Sequence, residues 1–248
     1  MPRFEFQVSI RTAFLCFQLF LLICTSPQAL SAQEKAEKLD LVYIGQSWLQ
    51  SGLPSIANAI SEDLGVPVKI SQRNSTLVPF ATKMLNSPQG NVIDDAEIVL
   101  VQMSGTFGRV SGYCLETNAD YAFSQSPEEL RAETDKFFAD LIKRVDPKEV
   151  MVRVAVWGVP PHYRSIWEER GFVDECAAGW SAIMEQWRQP AEEHGIKVID
   201  LMELWNGPGA QEKAPSHYFG RKDIYLTEDG IASIVELIRE IGYEPLEP

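Results

Sequence analysis

The residue types that could do chemistry in this sequence are one well-placed serine and a few histidines. Ser47 follows Gly45 and Gln46, directly after the apolar run Leu39–Gly45. A serine hydroxyl becomes a nucleophile when a nearby base takes its proton, and the base is most often a histidine. The histidines of the chain are His162, His194 and His217. A serine and a histidine are the residue types that nucleophilic catalysis would use here, provided that the fold brings them within hydrogen-bond reach.

The three histidines lie in different sequence contexts. His217 falls in the loop predicted before the last helix, where it is either the base or an ordinary loop residue. His162 follows a Pro-Pro pair and is a second possible base or a substrate contact. His194 precedes Gly195 at a predicted helix end, which is typical of a structural or surface residue.

Two further features bear on ligands. Trp48 comes directly after the serine, and it either stacks on a sugar ring or packs under the first helix. No Cys and His residues have metal-ligand spacing, and Gly105, Gly108 and Gly112 do not open a helix as a dinucleotide fingerprint does. We therefore expect no metal and no cofactor.

Short apolar segments alternate with longer amphipathic segments along the chain. Strands are predicted at residues 39–45, 66–70, 97–103, 150–157 and 196–201. Helices are predicted at 53–64, 77–85, 127–142, 180–193 and 227–238. Strands that alternate with helices predict an α/β fold, a three-layer sandwich with a five-stranded parallel sheet. Its loops at 45–52, 104–114, 158–164 and 203–225 should meet at the carboxyl edge of that sheet, where ligands bind.

Three segments resemble the SGNH/GDSL hydrolases. Gly45-Gln46-Ser47 resembles the first block of that family, in which a strand delivers the nucleophilic serine. The segment 98–108 resembles the third-strand block, and 224–230 resembles the closing block before the last helix. The resemblance implies a flavodoxin-like SGNH fold with Ser47 as nucleophile. It also implies that Gly45, Gln46, Gly105 and Thr106 line the oxyanion site or cleft.

The sequence departs from the family pattern at several catalytic positions. Phe107 occupies the position of the oxyanion asparagine, Tyr225 that of the catalytic histidine, and Lys222 that of its aspartate partner. A phenol is almost fully protonated at neutral pH and is a poor base. We therefore expect His217 or His162 to replace the missing histidine, with Tyr225 as a base or contact of lesser weight.

The N-terminal segment and the charge bear on location and partners. An apolar run of about a dozen residues ends near Cys24 and is followed by small residues, which predicts a signal peptide over 1–31 and a single domain over 32–248. An uncleaved anchor is the alternative. The net charge is −13, which disfavours nucleic acids and anionic membranes as partners. After export, Cys114 and Cys176 either pair or stay free.

Three classes of function fit these observations. The first is an exported serine esterase, periplasmic or secreted, that acts on small or glycan-linked acyl esters. The second is a degenerate relative that binds a glycan or another ligand without catalysis. The third is an interaction subunit that uses the fold as a scaffold, because fold alone does not fix function. The Gly45-Gln46-Ser47 turn favours the esterase.

Overall fold

A computed structural model describes residues 38–75, 78–103, 114, 127–145, 149–220 and 225–245. The strands are β1 (Leu39–Gly45), β2 (Val68–Ser75), β3 (Ile98–Met103), β4 (Met151–Val156) and β5 (Lys197–Asp200). The α-helices among these residues are α1 (Ser47–Gln50), α2 (Leu53–Leu64), α3 (Val78–Leu85), α4 (Pro127–Arg144), α5 (Pro161–Arg170), α6 (Val173–Glu193), α7 (Leu201–Asn206) and α8 (Glu228–Ile241). The predicted signal peptide at 1–31 lies outside the described residues.

All five strands are parallel and form one sheet in the order β2-β1-β3-β4-β5. This confirms the predicted α/β fold, a flavodoxin-like sandwich with helices flanking the sheet. In register, Leu41 of β1 is opposite Ile98 of β3, which is opposite Met151 of β4. The strands therefore end together, and the segments that follow β1, β3, β4 and β5 begin at the same edge.

The central strands are apolar because helices cover both faces of the sheet. Every residue of β4 is buried, and β1 is buried from Leu41 to Gly45. Parallel strands in this situation read as continuous apolar runs, which is how the sequence predicts them. Two buried polar residues interrupt the pattern, Gln102 in β3 and Arg153 in β4.

Arg153 ties the end of the last helix to the sheet. Its side chain is 1% exposed, and its guanidinium donates to the carbonyl oxygens of Val152 (2.9 Å), Gly242 (2.7 Å) and Glu244 (2.9 Å). Burial lowers the pKa of Arg153, and the nearby Glu244 carboxylate opposes that effect. The carbonyl partners compensate for the loss of water at the two terminal nitrogens, which fixes the segment that follows α8 against β4. The Nε atom is buried and has no hydrogen-bond partner among the described residues.

Some predicted element bounds are wrong for local reasons. The last predicted strand ends at Asp200 rather than 201, because the Asp200 carboxylate caps α7 by accepting from the Glu203 amide at 2.9 Å. The loop predicted at 158–164 contains the start of α5, where Pro161 takes the first helical position. The helix predicted at 180–193 begins earlier, at Val173. The second strand lies at Val68–Ser75 rather than at the predicted 66–70.

Cys114 and Cys176 form a disulfide, with their Cα atoms 5.6 Å apart. Both cysteines are buried, Cys176 within α6. The Trp167 indole of α5 donates to the Cys114 carbonyl oxygen at 2.7 Å, so Cys114 is held by two helices. The disulfide therefore attaches the chain beyond β3 to the helical layer.

We expect one tyrosine to make stability fall at alkaline pH. Tyr243 donates a hydrogen bond to Asp63, which also pairs with Arg239 at 2.7 Å. Partial burial, and then the hydrogen bond to Asp63, raise the pKa of Tyr243 from 10.0 to about 12. The unfolded chain therefore loses this proton first as pH rises. The contribution is fully present below pH 10 and is lost as pH rises towards 12.

The measurement is urea unfolding between pH 8 and pH 11 of wild type and Tyr243→Phe. Wild type should lose more free energy of unfolding across this interval than the variant, which has no phenol at position 243 to titrate. Equal losses in the two proteins would show that the Tyr243–Asp63 contact does not favour the protonated phenol.

Candidate functional site

Ser47 lies where the sequence predicts it, at the carboxyl end of β1. It is the first residue of the four-residue helix α1, and it is exposed, whereas Gly45 is buried and Gln46 is half-buried. The side chain thus emerges from the sheet edge at which ligands bind in α/β proteins.

Two buried side chains hold the backbone that precedes Ser47. The backbone N–H of Gln46 donates to Gln102 Oε1 at 2.9 Å. The Tyr43 hydroxyl donates to the Gln46 carbonyl oxygen at 2.6 Å and also lies 3.0 Å from Gln102 Oε1. Both backbone polar groups of Gln46 are therefore satisfied by side chains from β1 and β3. We call Tyr43 and Gln102 the backbone clamp.

The clamp explains why the turn begins with glycine. A Cβ atom at Gly45 would lie 2.5 Å from the Tyr43 hydroxyl oxygen and 2.9 Å from Gln102 Cβ. Contacts this short do not occur between packed heavy atoms, so any larger residue would displace one of the two side chains. Glycine at this position lets the Tyr43 ring lie along the strand and reach Gln46.

Burying the polar side chain of Gln102 in the backbone clamp lowers the stability of the fold. Gln102 is 1% exposed, and within the described residues its Nε2 atom has no hydrogen-bond partner. A buried unsatisfied donor costs about 1–3 kcal/mol. Burial also raises the pKa of Tyr43 far above its ordinary value, so the phenol stays protonated and remains a donor.

An aromatic group extends from Trp48 along the sheet edge. The Trp48 ring centroid lies 5.8 Å from that of Trp157 and 6.2 Å from that of Tyr163. The Tyr163 ring is in turn 5.4 Å from His162. Trp48, Tyr163 and His162 are all half-buried, and we call these three residues the aromatic wall. Trp48 therefore packs against neighbours and still presents part of its ring to solvent.

Asn206 fixes the segment between β4 and α5, the helix that carries His162. Its Oδ1 atom accepts from the Val159 amide at 2.7 Å, and its Nδ2 atom donates to the carbonyl oxygens of Val159 and Glu212, each at 3.2 Å. A Cβ at Gly158 would lie 2.6 Å from Asn206 Oδ1, so glycine is needed there. The buried amide acts as a backbone substitute where β4 has no further strand partner.

We expect Asn206→Ala to lower the free energy of unfolding by about 2–4 kcal/mol, because it leaves the Val159 amide and carbonyl buried without partners. Chemical denaturation measures the loss. Asn86→Ala is the matched control, since Asn86 is exposed and bonds to Thr82 and Asp140. The control should lose less than about 1 kcal/mol. Similar losses in both variants would contradict the role given to Asn206.

The predicted base His217 lies in the turn Ser216–Tyr218 and is exposed. Its backbone oxygen accepts from the Thr227 hydroxyl at 2.6 Å, and its ring packs against Tyr218 at 4.5 Å. Tyr225 is half-buried, and its carbonyl oxygen accepts from Gly220 at 2.8 Å in a short antiparallel pairing. Thr227 caps α8, so the His217 turn is anchored to the start of that helix.

Within the described part of the chain, no hydrogen bond joins Ser47 to an imidazole. His194 is occupied elsewhere, with its Nε2 atom 2.9 Å from Asp135 between α6 and α4, as expected of a structural residue. Catalytic hydrogen bonds are often long in a free enzyme and shorten when substrate binds. The roles of Ser47, His217 and His162 therefore remain predictions. Gly105, Thr106, Phe107 and Lys222 lie outside the described residues.

The contacts of the backbone clamp and of Asn206 at this site were not predicted from the sequence. One signal for the clamp was available, since Tyr43 and Gln102 are the polar side chains within two otherwise apolar strand cores. Asn206 gave no comparable signal, because Val159, to which it makes two of its three hydrogen bonds, is 47 residues away in sequence.

The described residues contain neither a cluster of metal-ligating side chains nor a membrane-spanning helix. No group of three or more His, Cys, Asp or Glu side chains in this part of the chain is arranged to hold a metal ion. Among the helices described, none has the length and apolar character needed to cross a bilayer.

Comparisons with known proteins define the fold class. No protein-family model matches the chain, and no curated protein matches its sequence. The chain is similar in structure to a DUF4886 family protein from Bacteroides uniformis, with a TM-score of 0.51 and 11% sequence identity. The alignment covers 85% of this chain and 87% of that one. At this identity the likeness establishes a shared parallel α/β fold.

Proposed function

We propose that the protein is an exported serine esterase, a divergent member of the SGNH/GDSL hydrolases, with Ser47 as its nucleophile. The observation that carries the proposal is the exposed Ser47 hydroxyl on a turn whose preceding backbone is held by two buried polar side chains. Such a turn limits the motion of the nucleophile before substrate arrives, which is a major source of rate enhancement.

His217 is the base in this proposal. Thr227 holds the His217 backbone against the start of α8, and one turn later Ile231 of the same helix lies against Gly52 between α1 and α2. A Cβ at Gly52 would be 2.9 Å from Ile231 Cγ1, so the start of α2 and the first turn of α8 are in close contact. The loop with His217 and the helix that begins at Ser47 are thus attached to the same corner of the sheet edge.

The reaction follows the usual two steps of acyl transfer. Ser47 Oγ attacks the ester carbonyl carbon while His217 accepts the hydroxyl proton, and the C–O bond to the alcohol then breaks as His217 returns the proton to the departing oxygen. A water molecule next attacks the acyl-serine, again losing its proton to His217. The carboxylic acid leaves and the Ser47 hydroxyl is restored.

The aromatic wall indicates the kind of substrate. A half-exposed Trp48 next to the nucleophile, backed by Tyr163, offers an apolar ring surface of the type on which sugar rings stack. The net charge of −13 disfavours anionic esters. We therefore propose a neutral acyl ester, small or linked to a glycan, as the substrate.

Covalent labelling tests the proposal. A fluorophosphonate probe should modify Ser47 of the folded protein, and peptide mass spectrometry should locate the adduct on the peptide that contains it. Urea-unfolded protein is the control and should not react, because activation of the hydroxyl requires the folded site. No labelling of folded protein at any pH between 6 and 9 would overturn the esterase.

A second candidate function is ligand binding without catalysis, and one observation favours it. Ser47 has no hydrogen bond to an imidazole among the described residues, while the aromatic wall beside it is fully formed. A glycan array with wild type and Trp48→Ala distinguishes this candidate. Binding that depends on Trp48 in a protein that resists the fluorophosphonate would establish it.

Export is part of the proposal and is supported by the Cys114–Cys176 disulfide, since such bonds persist in oxidising compartments. N-terminal sequencing of the protein recovered from its native host tests this point. We expect a start close to residue 32, after cleavage behind Ser31. A chain that begins at Met1 would contradict export by a cleaved signal.

A further inference from the structure

We propose that Gln102 is a positioning residue for Ser47, acting through the backbone of Gln46 together with Tyr43. The inference rests on the proposed function for its kinetic consequence and on hydrogen-bond geometry for its structural one. Gln102 belongs to β3, 56 residues away from Gln46 in sequence, so the contact links two neighbouring strand ends.

The backbone clamp acts on a single residue, Gln46, at both of its backbone polar groups. Gln102 Oε1 accepts the Gln46 N–H at 2.9 Å, and the Tyr43 hydroxyl donates to the Gln46 C=O at 2.6 Å. Gln46 is the residue just before α1 and has an extended conformation, with φ −90° and ψ 166°. Holding both of its polar groups restricts the two peptide planes from which the Ser47 side chain projects.

Among the described residues, the Gln102 side chain makes hydrogen-bond contacts only with Gln46 and Tyr43. It is 1% exposed, and its Nε2 atom has no hydrogen-bond partner in this part of the chain. A buried amide with one half unsatisfied is a poor choice for stability. Its Oε1 atom is the half that is used, and it is used on the nucleophile turn.

Packing at the end of β1 sets the direction in which the Ser47 side chain projects. Gly45 lies under the Tyr43 ring, and a Cβ there would be 2.7 Å from Tyr43 Cζ. The ring, the glycine and Gln102 therefore form a packed unit at the end of β1. Loss of Gln102 Oε1 would release the Gln46 N–H and let the peptide rotate, moving Ser47 Oγ relative to its base.

The kinetic test compares Gln102→Met with Gln102→Glu. Methionine fills a similar volume without an acceptor, so kcat for p-nitrophenyl acetate should fall about 10-fold to 100-fold with KM within about twofold. Glutamate keeps an acceptor for the Gln46 N–H and should restore most of the kcat. Thr134→Val is the matched control, because Thr134 is buried in α4 and loses one hydrogen bond, to Leu130 O at 2.7 Å. It should leave kcat unchanged.

Amide hydrogen exchange supplies a readout that does not depend on activity. The Gln46 N–H should exchange at least about tenfold faster in Gln102→Met than in wild type or in Thr134→Val. Unchanged exchange, or a kcat loss shared equally by Thr134→Val, overturns the inference. A wild type without esterase activity or fluorophosphonate labelling defeats the proposed function instead, and Gln46 exchange then decides the role of Gln102 by itself.

Discussion

Replacing Ser47 with alanine is expected to lower the turnover of p-nitrophenyl acetate by about 10²–10³. An intact triad loses more than this on deletion of its serine, on the order of 10⁴–10⁶. The smaller figure rests on the proposed SGNH/GDSL membership, under which Phe107 and Tyr225 replace an oxyanion donor and a base, and each such loss would already have removed catalysis. The measurement is kcat/KM at pH 8, with Ser55→Ala as control, because Ser55 is an exposed serine of α2.

The same assay identifies the base. His217→Ala should fall about as far as Ser47→Ala, because a nucleophile and its base act as a unit. Tyr225→Phe should be nearly silent, since phenols in general are poor bases. If His217→Ala is silent and His162→Ala is inactive, the base is misassigned while the nucleophile stands. If Ser47→Ala keeps full activity, the nucleophile itself is wrong.

The parallel sheet could be predicted from the sequence because its signals are local. The runs that form β1 and β3 are mostly apolar, with Asp40 and Gln102 as exceptions. The Ser-Pro-Glu-Glu and Thr-Glu-Asp segments mark the starts of α4 and α8. Each signal is a matter of periodicity or capping within one element. The bounds of α2 are likewise those predicted, from Leu53 to Leu64.

The short helices could not be predicted because they depend on distant partners. The loop predicted at 203–225 contains most of α7, whose last residue, Asn206, bonds to the segment after β4. The segment predicted at 158–164 becomes helical from Pro161, and Arg164 of α5 then donates to Ala210 O at 3.1 Å. Tertiary contacts of this kind override local tendency and leave no short-range pattern in the chain.

The candidate site divides along the same line. The place of Ser47 follows from one strand, the glycine that ends it and the helix predicted from Leu53, and the sequence predicts it. The helix α1, which begins at Ser47 itself, lies in the predicted loop 45–52 and was not predicted. The backbone clamp joins Tyr43 to Gln102 across 59 residues, and the disulfide joins cysteines 62 apart. Spacing cannot show which distant residues meet, so the pairing of Cys114 with Cys176 stayed open until the structure placed them in contact.

Removing that disulfide is expected to lower the free energy of unfolding by about 4 kcal/mol. The bond closes a loop with a sequence separation of 62, and in the chain-entropy model such a cross-link removes about 14 cal/mol/K from the unfolded ensemble. For a domain of this size, the loss corresponds to a Tm lower by about 8–16 °C. Denaturant unfolding of Cys114→Ala/Cys176→Ala measures it.

Wild type under reducing conditions separates the cross-link from packing. Both cysteines are buried, so alanine also removes two sulfur atoms from the core, whereas reduction keeps them. Reduced wild type should lose most of the 4 kcal/mol, and the double variant should lose somewhat more and be insensitive to reductant. A reduced protein as stable as the oxidised one, with free thiols verified by alkylation, would show that the unfolded chain is not constrained by this bond. The native contacts of Trp167 with Cys114 would then hold the segment without it.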